Sequence, residues 1–181
     1  MRKLVLCSSL LALAACASTG AGAGNTTTPP LVDSQTTGQA ILRTRSDVSA
    51  AERIDAPLQR VYGLLPAIYT ELGVTEVGRD SATRTVGNGR IAASRRFAGE
   101  PLSRYLQCGT TAFGGPLADE ARVEMALRTT VTADEQGSSL QTTVSAVARP
   151  NRGTGGDQVQ CNSTGALESR IAAMVRQKLA S

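Results

Sequence analysis

Five apolar residues, Leu58, Val61, Leu65, Ile68 and Leu72, recur at alternating steps of three and four. That spacing gathers side chains into one stripe along an α-helix. Asp55-Ala56-Pro57 precedes the stripe and predicts the helix start, with Asp55 near the cap and Pro57 in the first turn. Pro66 predicts a kink and Gly73 a left-handed stop. Tyr62 and Tyr69 lie beside the stripe and read as packing groups. Upstream, Ala40 to Ile54 mixes polar and β-branched residues and reads as one bent strand or two short ones.

Past the helix the period changes to two. From Ala121 to Ala133, Val123, Met125, Leu127, Thr129 and Val131 alternate with Arg122, Glu124, Arg128, Thr130 and Thr132. This describes a strand of an antiparallel sheet with one face buried and one wet. Asp134 to Ser138 reads as a turn, and Leu140, Thr142, Val144, Ala146 and Ala148 form the next inward row. Before these, Val74 to Arg79 and Arg84 to Gly87 read as strands joined at Asp80-Ser81-Ala82. Asn88-Gly89 is a strong hairpin signal that predicts a reversal into Arg90–Ala98. Leu102 to Leu106 reads as a short helical piece, Thr110 to Asp119 and Pro150 to Asp157 as loops, and Gln158–Gln160 as a brief strand. Ser163-Thr164 predicts the cap of a last helix that runs to Ala180 and buries Leu167, Ile171, Met174 and Val175. The order strand, helix, antiparallel strands, helix predicts an α+β fold with both main helices packed on one face of the sheet.

Composition narrows the chemistry. The chain has no histidine, the commonest general base and metal ligand, and a Ser-His-Asp triad is therefore impossible. Nineteen Lys and Arg stand against fifteen Asp and Glu. Without Arg2 and Lys3 the excess is two, too small to argue for nucleic acid or an anionic membrane surface. With no tryptophan, the core has to be built mainly from Leu, Val, Ile and Ala.

The amino-terminal stretch joins Arg2-Lys3 to a mostly apolar run, Leu4 to Ala15, that ends in small residues. Twelve helical residues span about 18 Å, short of a bilayer's hydrocarbon core of about 30 Å. The stretch thus reads as a secretory signal over residues 1–15 rather than a transmembrane anchor. Leu13-Ala14-Ala15-Cys16 resembles the bacterial lipobox. That resemblance implies cleavage before Cys16, a thioether-linked diacylglycerol on its sulfur and an amide-linked third chain, and two or more chains hold stably where one holds marginally. Ala17, not aspartate, follows the cysteine, as in lipoproteins sorted to the outer membrane and facing the periplasm. Residues 16–38, rich in Ala, Gly, Thr and Pro, read as a flexible tether about 25 Å in root-mean-square span. Residues 39–181 read as one domain.

Cys7 leaves with the signal and Cys16 is taken by lipid, which leaves Cys108 and Cys161. In an oxidising compartment this pair reads as a disulfide, with two free thiols as the alternative, and two soft ligands do not make a metal site. No cofactor is expected.

A weaker resemblance covers Val61 to Val86. Val61-Tyr62, Leu64-Leu65, Leu72-Gly73-Val74, Glu76, Arg79-Asp80 and the strand pair around them resemble the helix-grip modules of a lipoprotein belonging to the outer-membrane β-barrel assembly machinery. It implies a helix-grip arrangement of strand, helix, strands and helix.

Candidate contacts are few. Gly109-Thr110-Thr111 and Asn162-Ser163-Thr164 each follow a disulfide cysteine. A bond is expected to bring Thr110, Thr111, Ser163 and Thr164 together as an anion contact at the last helix's start, the bland reading being a cap and a turn. Arg95 and Arg96, with Arg84, Arg90 and Arg128, are expected on the open sheet face, as a basic patch or as an ordinary solvated surface. Glu120 and Glu124 make no recognisable acid–base pair, and Gly114-Gly115-Pro116 lacks the Gly-Lys-Ser/Thr ending of a phosphate loop. The expected function is that of a non-catalytic, lipid-anchored envelope lipoprotein. It would meet the membrane through its lipid and another envelope protein through its domain. The alternative is a binder of a small apolar or lipid molecule held between the carboxy-terminal helix and the sheet.

Overall fold

The computed structural model describes residues 51–150 and 157–181. The expected signal at 1–15, Cys16 with the tether at 16–38, most of the segment from Ala40 to Ile54 and most of the loop from Pro150 to Asp157 lie outside the described residues.

In chain order the elements are β1 (Glu52–Ile54), α1 (Leu58–Glu71), β2 (Gly78–Asp80), β3 (Thr85–Ser94), β4 (Arg96–Phe97), β5 (Glu100–Pro101), a 3₁₀ turn (Leu102–Arg104), β6 (Leu106–Gln107), α2 (Leu117–Glu120), β7 (Arg122–Asp134), β8 (Gly137–Arg149), β9 (Val159–Ser163) and α3 (Ala166–Ala180). The strands lie in the order β5-β4-β3-β7-β8-β9-β6, with β2 beside β3 and β1 beside β8. Every pairing among the named strands is antiparallel. The protein is α+β, an antiparallel sheet with its two long helices on one face, as the change of hydrophobic period predicts.

The alternation of β7 and β8 explains the centre of the sheet. The two strands pair without interruption from Arg122↔Arg149 to Asp134↔Gly137. Val123, Met125, Leu127, Thr129 and Val131 are buried opposite Ala148, Ala146, Val144, Thr142 and Leu140. Against this face α1 buries Val61, Tyr62, Leu65, Ile68 and Tyr69, and α3 buries Leu167, Ile171, Ala172 and Val175. Leu65, Ile68, Tyr69, Leu167, Ile171 and Val175 are each 0 % exposed, so no water-sized space adjoins them. The helix–sheet interface around these residues is filled by side chains.

Four local expectations fail. Asp55 does not cap α1. Pro57, at ψ 139°, stands immediately before the helix, and Asp55 is two residues too far upstream, with its side chain 90 % exposed. Asn88-Gly89 does not reverse the chain. β3 runs straight through it, and the register against β7 slips between Asn88 and Ile91 as a bulge. The Asn88 amide donates to the Thr75 carbonyl at 2.7 Å, and its Oδ1 accepts the Arg90 N–H at 2.6 Å. The side chain that stabilises a tight turn elsewhere here ties the bulge to the connection after α1. Of Val74 to Arg79 only Gly78 and Arg79 pair as strand, and the helical piece expected at Leu102 to Leu106 is a single 3₁₀ turn followed by β6. Pro66, where a kink is expected, lies inside the continuous span of α1. Gly73 follows the helix end at φ 81°, as expected.

Candidate functional site

Cys108 and Cys161 are bonded, with Cα atoms 4.2 Å apart. They extend the β6–β9 ladder, in which Leu106 faces Ser163 and Gln107 faces Asn162. The direction of that ladder undoes the expected anion contact. In an antiparallel pair the chains leave a shared rung in opposite directions. Thr110 and Thr111 therefore run away from the bond on the side opposite to Ser163 and Thr164. The disulfide brings the cysteines together and sends the two polar stretches apart.

Ser163 and Thr164 use their hydroxyls at the start of α3. Ser163 Oγ donates to Glu168 Oε1 at 2.6 Å and accepts the Gly165 N–H at 3.1 Å. Thr164 Oγ1 donates to the Arg104 carbonyl at 2.8 Å and accepts the Ala166 N–H at 3.3 Å. The residue that precedes α3 is Gly165 in the left-handed conformation, φ 81°, so Ser163 and Thr164 support the helix start from two positions and one position further upstream than a cap. Thr110 bridges to Pro116, and Thr111 Oγ1 is buried without a hydrogen-bond partner.

The arginines do not converge either. Arg96 donates to the Gly99 carbonyl and closes its own β4–β5 turn. Arg95 is the single residue between β3 and β4, at φ 64°, and its carbonyl accepts the Leu102 N–H. Arg84 holds the turn before β3 at φ 53°. Arg90 and Arg128 do line the open face, but in separate grooves. Arg128 borders one of about 570 Å³ with Asp80, Thr83 and Thr85. Arg90 borders one of about 480 Å³ with Glu124 and Arg149, which pair with each other at 3.1 Å. The Asp80 carboxyl is held below its ordinary range by hydrogen bonds from the Thr83 hydroxyl and the Thr83 and Ala82 amides. Each groove is thus lined by two arginines and one carboxylate, Arg79 and Arg128 with Asp80 in the first and Arg90 and Arg149 with Glu124 in the second.

Three features carry no sequence signal that predicts them. Glu168, in the first turn of α3, is 3 % exposed. Its Oε1 takes the Ser163 hydroxyl, its Oε2 is buried without a hydrogen-bond partner, and the carboxyl group lies at the positive end of the helix dipole. Phe113 is 93 % exposed. The third is a buried relay in which Tyr69 Oη and Thr129 Oγ1 share a hydrogen bond of 2.8 Å, and Thr129 and Thr142 share one of 2.9 Å. It joins α1 to the two central strands and satisfies polar groups that are costly to bury alone. Alternation alone would read both threonines as ordinary inward β-branched residues.

Burial pushes the Tyr69 phenol well above its ordinary pKa of 10.0, and the Thr129 hydrogen bond opposes this only in part. A raised folded-state pKa leaves stability intact below the unfolded pKa and erodes it as pH climbs towards the folded value. Stability measured by urea titration is therefore expected to fall as pH rises above about 10, and Tyr69→Phe to flatten that decline. An equally steep decline in the variant would assign it to other groups.

Among the described residues no group of three or more Asp, Glu or Cys could hold a metal ion, and no helix is long and apolar enough to cross a membrane. The chain matches no protein-family model, no curated protein and no solved structure.

Proposed function

We propose that this protein is a lipid-anchored lipoprotein of the bacterial cell envelope, held by Cys16 and facing the periplasm from the outer membrane. Its domain performs no reaction of its own and serves as an interaction or assembly accessory for another envelope protein. The observation that carries the reading is the filled helix–sheet interface. A carrier of the helix-grip kind would open a chamber of several hundred cubic ångströms between α3 and the sheet. Here Ile171 and Val175 meet the sheet with 0 % exposure, which disfavours the ligand-binding alternative. The lipobox resemblance supports the anchor, and the resemblance to the assembly-machinery lipoprotein supports the accessory role.

Catalysis lacks its usual parts. General acid–base work near neutrality needs a group that titrates there, and the chain has no histidine. Its two cysteines within the described residues are joined. Of its carboxylates, Glu124 pairs with Arg149, Asp119 accepts the Ser103 N–H and hydroxyl, and Glu168 accepts Ser163. Cys16→Ser is expected to release the chain into the soluble fraction or leave it uncleaved. A cleaved Cys16→Ser chain that stays with membranes through a salt wash would refute the anchor. Turnover assays on ester, peptide, glycan and phosphate substrates are expected to be blank, and turnover abolished by mutating one carboxylate would overturn the non-catalytic reading.

A further inference from the structure

Phe113 is, among the described residues, the one large apolar side chain that stands in solvent, at 93 % exposure. It is held there by construction. The Leu117 N–H donates to the Gly109 carbonyl at 3.0 Å, Thr110 bridges to Pro116, the Thr111 N–H donates to the Gly115 carbonyl at 2.8 Å and the Gly114 N–H to the Thr111 carbonyl at 3.0 Å. Residues 109–117 thus form a closed loop with Ala112-Phe113 at its tip. One foot of the loop follows the Cys108–Cys161 bond. The other enters α2, where Ala118 is buried and Asp119 accepts both the Ser103 N–H at 2.8 Å and the Ser103 hydroxyl at 2.6 Å. Such a base keeps the tip from folding back onto the domain.

Composition indicates what the tip meets. From Gly109 to Ala118 the chain carries no charged residue of its own, Ala112, Phe113 and Pro116 are exposed, and the Glu120 carboxylate lies against Gly115. A phenylalanine offers roughly 200 Å² of surface, against about 800 Å² on each side of a stable protein–protein interface. The knuckle is too small to hold a partner protein or a second copy by itself. A bilayer interface makes no such demand, since a single apolar side chain partitions into it without a matched surface. We propose that the Phe113 loop inserts into the lipid interface of the membrane and so orients the domain on it. The proposal rests on the anchoring reading, because one inserted side chain biases orientation only about tenfold and needs the tether to keep it near the surface. Without basic residues in the loop, insertion should not depend on anionic lipid.

The chain has no tryptophan, so Phe113→Trp supplies a single fluorophore. The full chain, with acyl groups on Cys16 verified by mass, is reconstituted into phosphatidylcholine vesicles with and without brominated acyl chains. Emission of the Phe113→Trp variant is expected to shift to the blue and to be quenched by bromine several-fold more than that of Gln141→Trp, an exposed position on the open sheet face. Equal quenching of the two variants on an acylated chain overturns the proposal, as does blue-shifted emission that requires a second protein. A chain without acyl groups contradicts the anchor instead. The loop is then read on full-length protein held to chelating lipid through a carboxy-terminal histidine tag, with the same two outcomes.

Discussion

Replacing Cys108 and Cys161 together by alanine is expected to destabilise the domain by about 4 kcal/mol, from the loop-closure entropy that the bond removes from the unfolded chain. The bond spans a sequence separation of 53 residues that contains β7 and β8, the two longest strands. Typical domains are stable by only about 5–15 kcal/mol, so the change is a large fraction of the total. The folded state should suffer locally as well. Beyond the bond, β6 meets β9 in only two residue pairs, and the Phe113 loop has one foot directly after Cys108. Urea unfolding of the variant should show a lower midpoint and weaker amide protection at Leu106 and Gln107. A loss below about 1 kcal/mol would mean that the unfolded chain already holds these segments together.

The second large effect is expected from Leu65→Ala, at about 2–5 kcal/mol. Leu65 is 0 % exposed on α1, on the stripe that packs against the inner row of β7 and β8. Truncation removes both its burial and the contacts of the neighbours left facing the void, because packed interiors relax only partly. A near-neutral Leu65→Ala would show that the interface of α1 with the sheet closes over the void.

What was legible in the sequence follows from how local each signal is. The stripe from Leu58 to Leu72 and the inward rows of β7 and β8 are set by burial on one face, which shows directly as period. The bond between Cys108 and Cys161 follows from reading the amino terminus as an export signal and from the cysteine count. What failed depended on partners distant in the chain. Asn88-Gly89 carries the local chemistry of a hairpin, yet β7 offers β3 a mate along nearly its whole length, and the glycine is absorbed as a bulge. The anion contact assumed that two stretches leaving a disulfide travel together, and strand direction, which no local pattern encodes, sends them apart. Arg95 and Arg96 looked like a basic pair, but the β3–β4 corner splits them, leaving Arg96 to close a turn. Thr129 and Thr142 sit correctly in the inward rows, and only the arrival of Tyr69 from α1 turns them into a polar relay.

The proposed anchor at Cys16 bears the most weight, because the proposed accessory role and the proposed insertion of the Phe113 loop both depend on it. Its most direct test is the intact mass of the chain extracted from membranes of its native host. The expected chain begins at Cys16, carries a diacylglyceryl group with or without a third acyl chain, and lacks two hydrogens until Cys108–Cys161 is reduced. A mature chain that begins after Cys16, or that begins there with an unmodified thiol, would contradict the anchor and the proposals built on it.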